Sequence, residues 1–213
     1  ANRPHKTKEE EEVLIDLIVK WAFVFYYRGD FKGLTGLLTS HEELAQSLYD
    51  RARFGMFLAW LGFALWGRER FKDSYGYLHK ALKLGEDTGD RRLIGYACAW
   101  LTWTCADLGL MEEAVLHGER AQEISSFLES DHYLYFKSLG GLGYAYWFMG
   151  ERKKVQEVGE ALVSYGRRHS NVRSTVMGHY ITGHSYLIAG DYPLAAECYE
   201  RAAKVAADPM YSQ

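Results

Sequence analysis

Residues 58–81 read LAWLGFALWGRERFKDSYGYLHKA. Leu58, Leu61, Gly62 and Leu65 fall at i, i+3, i+4 and i+7, which is one face of a helix. After a polar break, Phe71, Ser74, Leu78 and Ala81 repeat helical spacing. Lys72, Asp73, His79, Lys80 and Lys83 fill the positions between them, on a solvated side. The stretch therefore predicts two amphipathic helices joined by a tight turn.

The same unit recurs in both directions. Turn signals stand at Gly29-Asp30-Phe31, Gly109-Leu110-Met111, Gly150-Glu151-Arg152 and Gly190-Asp191-Tyr192, and Glu69-Arg70-Phe71 completes the series without a glycine. The period is about 40 residues, and a fixed period of this size marks a solenoid. Five units nearly exhaust the chain: about 15–54, 55–94, 95–135, 136–175 and 176–207. Asp50, Asp90, Asp131 and Asn171 stand where a helix N-cap is needed, and Thr7 with Glu10 forms a capping-box pattern. Residues 1–12 read as linker and helix cap, and 208–213 as a tail. Thr39-Ser40-His41-Glu42-Glu43 places a possible cap inside the second helix of the first unit and predicts a break there.

These units resemble the tetratricopeptide repeat (TPR) in its long-spaced variety. The family's Leu-small pair is found as Trp21-Ala22, Leu61-Gly62, Leu101-Thr102, Leu142-Gly143 and Thr182-Gly183. Its small position after the turn is Leu34, Ser74, Ala114, Val155 and Ala195. Its closing alanine is Ala81, Ala121 and Ala202, with His41 and Leu162 as departures. The resemblance covers 13–207. It implies an all-α fold: a right-handed superhelical solenoid of about five helix-turn-helix repeats, with first helices lining the concave side. It also implies a scaffold, or a sensor array attached to a signalling enzyme such as a nucleotide cyclase.

Composition sets limits on function. The chain has 213 residues with a formal charge of -3, so no basic field points to nucleic acid. Its most apolar stretch, 13–27, carries Asp16 and Lys20, which argues against a membrane span. Cys98, Cys105 and Cys198 are too few and too scattered for a disulfide framework, and a cytoplasmic setting is the simplest expectation. The chain opens on Ala1, so both ends read as cut from a longer protein, or the initiator Met as removed.

The 32 aromatic residues are not evenly spread. The five first-helix windows hold 19 of them, including all six Trp. Many share a second face, away from the Leu-small packing set. The candidate groove residues are Phe23, Tyr26, Tyr27, Trp60, Phe63, Trp66, Tyr96, Trp100, Trp103, Tyr144, Trp147, Phe148, Tyr180 and His184. Two readings stand: rings packed between neighbouring helices, or an open binding groove. Continuity of the stripe favours the groove. The family's carboxylate clamp is not expected, since only Lys20 and Lys137 fall on that surface, opposed by Asp16 and Asp107. The expected partner is an apolar protein or peptide segment, an amphipathic helix or an extended peptide, bound with weak salt dependence.

No enzyme signature is present. No G-x-S-x-G elbow or phosphate loop occurs, and Gly140-Gly141-Leu142-Gly143 falls mid-helix in register. His179 and His184 are five apart and do not share a helix face; His117 and His132 read as surface residues. No metal or cofactor is expected. The functional expectation is a non-catalytic protein- or peptide-binding scaffold, a module of a larger signalling or regulatory protein. Self-association, with a possible homodimer through an uncapped last helix or through the grooves, and a small-ligand sensor remain the alternatives.

Overall fold

The computed structural model describes residues 7–128 and 130–207. The expected linker at 1–6 and tail at 208–213 lie outside them. The described residues form eleven α-helices and no strand. They are α1 (Lys8–Arg28), α2 (Phe31–Thr39), α3 (Glu42–Ser47), α4 (Arg51–Trp66), α5 (Phe71–Thr88) and α6 (Arg91–Asp107). There follow α7 (Met111–Phe127), α8 (His132–Phe148), α9 (Arg152–Arg168), α10 (Val172–Ile188) and α11 (Tyr192–Ala206). Consecutive helices from α4 onward pack as pairs, and α4, α6, α8 and α10 stack on one another. This is an all-α repeat solenoid.

Local chemistry sets the helix ends. Side chains of Asp50, Asp90, Asp131 and Asn171 accept from the backbone N–H three residues on, capping α4, α6, α8 and α10. Thr7 and Glu10 bond reciprocally at the start of α1, at 3.2 and 2.9 Å. The expected break after Thr39 is present, between α2 and α3. Within each pair the chain turns through a left-handed residue: Gly29, Gly109, Gly150 and Gly190 have φ of 67–78°. Glu69 occupies the same place with φ 59°, a conformation that suits glycine and strains a residue with a Cβ.

The repeat register sets the core. Leu34, Ser74, Ala114, Val155 and Ala195, the small positions after each turn, are all buried, as are Leu61, Leu101, Leu142 and Ala81, Ala121, Ala202. Each buried Leu contributes roughly 1.5–3 kcal/mol relative to exposure. Trp21 departs from the pattern. It was expected at a packing position but is 62% exposed, because no helix pair precedes α1 among the described residues. The α9–α10 contact is backbone against backbone. A Cβ on Gly178 would lie 2.6 Å from the Val163 nitrogen and 2.7 Å from the Gly159 carbonyl oxygen.

Candidate functional site

The concave aromatic stripe divides into two parts. In the N-terminal part the rings are core. Trp60, Phe63 and Trp100 are each 1% exposed and Tyr96 is also buried. Their centroids are close: Trp60–Trp100 4.8 Å, Phe63–Trp100 4.8 Å and Tyr96–Trp100 5.2 Å. Tyr133 on α8 closes this cluster against α1, 5.1 Å from Phe23 and 5.6 Å from Tyr26. The expectation that Trp60, Phe63, Tyr96 and Trp100 line an open groove is thus corrected. Neighbouring first helices converge tightly enough to bury them against one another. His184 is corrected likewise: it is buried, shares a 2.6 Å hydrogen bond with the Tyr199 hydroxyl, and lies 4.1 Å from the Trp147 ring.

The remaining rings run on as a partly open ridge. Trp66 contacts Trp103 at 5.8 Å, Trp103 stacks on Tyr144 at 5.1 Å, and Tyr144 meets Phe148 at 4.7 Å. Asp107 holds the ridge from beneath, accepting from the Trp66 indole at 2.7 Å and the Tyr144 hydroxyl at 3.0 Å. Tyr27, Phe148 and Tyr180 stay exposed, while Phe23, Tyr26 and Trp147 are half-buried.

Beside this ridge lies a cavity of about 890 Å³, between α8, α10 and α11, with Tyr26 of α1 at its edge. Of the sequence-derived candidates only Tyr26 and Tyr180 line it. Phe136, Arg173, Val176, Met177 and Tyr199 complete its walls. Arg173 falls before residue 176, where the fifth unit was expected to begin, whereas α10 starts at Val172; Tyr199 belongs to a second helix, and Phe136, Val176 and Met177 were not assigned to the stripe. The i, i+1, i+4 spacing of Val172, Arg173, Val176, Met177 and Tyr180 was the available signal.

The electrostatics at this edge are one-sided. Lys137 is only 5% exposed, and its Nζ sits in a box of rings. The centroids of Tyr26, Phe63, Phe136, Trp103 and Tyr133 lie 4.8, 5.0, 5.3, 5.5 and 5.8 Å away. No carboxylate among the described residues pairs with it. Burial, and then the charge of Arg173, push its amine down to about 7. Arg173 lies over Tyr27 at 4.1 Å and donates to the Tyr26 hydroxyl at 3.4 Å. Asp16 and Asp107, expected to oppose the lysines, are engaged elsewhere: Asp16 pairs with Arg53 at 2.8 Å, and Asp107 holds the ridge.

Nucleophiles are poorly placed. Burial pushes the thiols of Cys98 and Cys105 up to about 12, with Glu113 adding to the effect at Cys105. His184 falls to about 4 through desolvation. His132 meets the Tyr165 hydroxyl at 2.6 Å. His117, read from sequence as a surface residue, is 8% exposed between helices and is corrected.

The stacked helix pairs make a helical-repeat solenoid. No family model matches the chain, and no curated protein matches it. Solved structures do. BtubC (BKLC) from P. vanneervenii superposes with a TM-score of 0.73 at 19% identity, over 96% of this chain and 84% of that one. The nearly identical TPR-like repeats of a kinesin light chain from Podosopora anserina give 0.67 at 18% identity, over 94% and 99%. The signal-transduction ATPase with a tetratricopeptide repeat sensor from Pyrococcus horikoshii gives 0.66 at 17% identity, over 95% of this chain and 34% of that one. At these identities the likeness shows the fold, a TPR-like solenoid. No described helix is long and apolar enough to cross a membrane.

Proposed function

We propose that the chain is a non-catalytic scaffold that binds a protein or peptide segment in the cavity between α8, α10 and α11. The segment is apolar or amphipathic and carries an acidic group. One observation carries this reading. The wall of Val172, Val176, Met177, Tyr180 and Tyr199 includes the cation Arg173 and no carboxylate. Apolar contact there supplies affinity, and the unneutralised charge fixes register and adds salt dependence. The Pyrococcus horikoshii ATPase carries its TPR array as a sensor. We read this chain in the same way, as a module of a larger signalling or regulatory protein.

Selection of a random peptide-display library on the protein tests the proposal. The expected winners carry aliphatic or aromatic residues at helical spacing together with Asp or Glu. Their affinity should fall about tenfold in Met177→Ala or Tyr180→Ala. Tyr180 is 47% exposed, so its variant should leave the fold intact. Binding that ignores both substitutions would exclude the cavity.

A second reading, self-association, is favoured by α1 rather than by the last helix. Val13, Leu17, Trp21 and Val24 follow at helical spacing, and all four are exposed. Sedimentation of the parent and of Trp21→Glu distinguishes the readings: a monomer at high concentration in both removes this one.

A further inference from the structure

On the side of the solenoid formed by the second helices, His79 of α5 faces Glu113 and His117 of α7. One ligand atom from each lies within 4.8 Å of the other two. Glu113 and His117 are four apart, which puts them on one helix face. His79 comes from the neighbouring repeat, so sequence spacing did not reveal the set. The His79 and His117 ring centroids are 5.6 Å apart. His79 Nε2 is buried and has no hydrogen-bond partner, an arrangement that costs free energy unless something binds there.

We propose that His79, Glu113 and His117 bind one divalent transition-metal ion of the zinc class, clamping α5 to α7. Two imidazoles and one carboxylate form a three-ligand protein set that zinc accepts, with a fourth position for water. Ligand atoms about 2.0 Å from a tetrahedral ion stand about 3.3 Å apart. The present separations, within 4.8 Å, are wider than that, so binding draws the three side chains together. The carboxylate is already oriented. Tyr75 donates its hydroxyl to Glu113 Oε2 at 2.9 Å, and the Cys105 thiol lies 3.9 Å from the same oxygen. Such outer contacts hold a ligand in its binding geometry. The nearby Arg120 is turned to Glu86 and does not compete for Glu113.

Zinc chloride titrated into chelator-treated protein, followed by calorimetry and by thermal melting, tests the site. The expected result is one ion per chain and a raised Tm. Cobalt(II) should give the intense visible bands of a tetrahedral N/O site. Glu113→Gln keeps the side-chain shape and the Tyr75 contact, and should lower affinity at least tenfold. His79→Gln, on the other helix, should do the same. His132→Ala, outside the set, should leave binding unchanged and controls for surface histidines. Absence of stoichiometric binding would overturn the proposal. So would binding that survives both Glu113→Gln and His79→Gln, or that is lost in His132→Ala alone.

Discussion

Arg173 on α10 lays its guanidinium 4.1 Å from the centroid of the Tyr27 ring on α1, joining the first helix of the array to its last pair. The same group donates to Tyr26 at 3.4 Å. An exposed cation–π contact of this kind contributes about 0.5–1 kcal/mol. Arg173→Ala should therefore lower stability by that amount and speed amide exchange in α1 more than in α5 or α7. Uniform exchange changes along the chain would show that the contact does not form.

Lys137 should give stability a distinctive pH dependence. Its amine is held near 7 in the fold, against about 10.4 in an unfolded chain. Below pH 7 both states are protonated, and the penalty of burying the charge is constant. Above it the folded state releases the proton while the unfolded state keeps it, so stability rises with pH, by up to about 1.4 kcal/mol per unit. Lys137→Met removes the buried charge. It should be more stable than the parent at pH 7, with the gap narrowing toward pH 9. Comparing the two proteins cancels the opposite trend from the buried thiols of Cys98 and Cys105. Thermal melts at three pH values suffice, and a pH-independent gap would refute the assignment.

Glu69 stands at φ 59° where four sister turns have glycine. A left-handed residue with a Cβ costs about 1–2 kcal/mol, partly offset by the unfolded-state freedom that glycine brings. Glu69→Gly should raise stability by about 1 kcal/mol. Denaturant midpoints measured at constant m-value would show it. A lower midpoint would mean that the glutamate side chain makes an interaction worth more than the strain.

The repeat was legible because its signals are local. Leu58, Leu61 and Leu65 fall at helical spacing, the caps Asp50, Asp90, Asp131 and Asn171 precede their helices, and a period near 40 ties the units together. The aromatic cluster was half-legible. Its rings share a helix face, but spacing along one helix cannot tell whether the next helix leaves that face open. That depends on curvature, the sum of small rotations between repeats, which brings Tyr133 of α8 onto Phe23 of α1. The same limit explains Lys137, seen as a surface cation until five rings from three other helices and its own enclosed it. It also explains His117, which is buried beside His79 one repeat earlier.

The contacts of Tyr133 and Arg173 with α1 also bear on how the molecule unfolds. An open solenoid behaves as a row of near-neighbour units, able to fray from either end. Here α1 is fastened to α8 and α10 through side chains distant in sequence. Loss of α1 would take Phe23 from Trp60 and Tyr26 from Phe63 and Lys137, so α1 is not a dispensable margin. Melting should be a single cooperative event across the array, and refolding should wait on closure of this long loop.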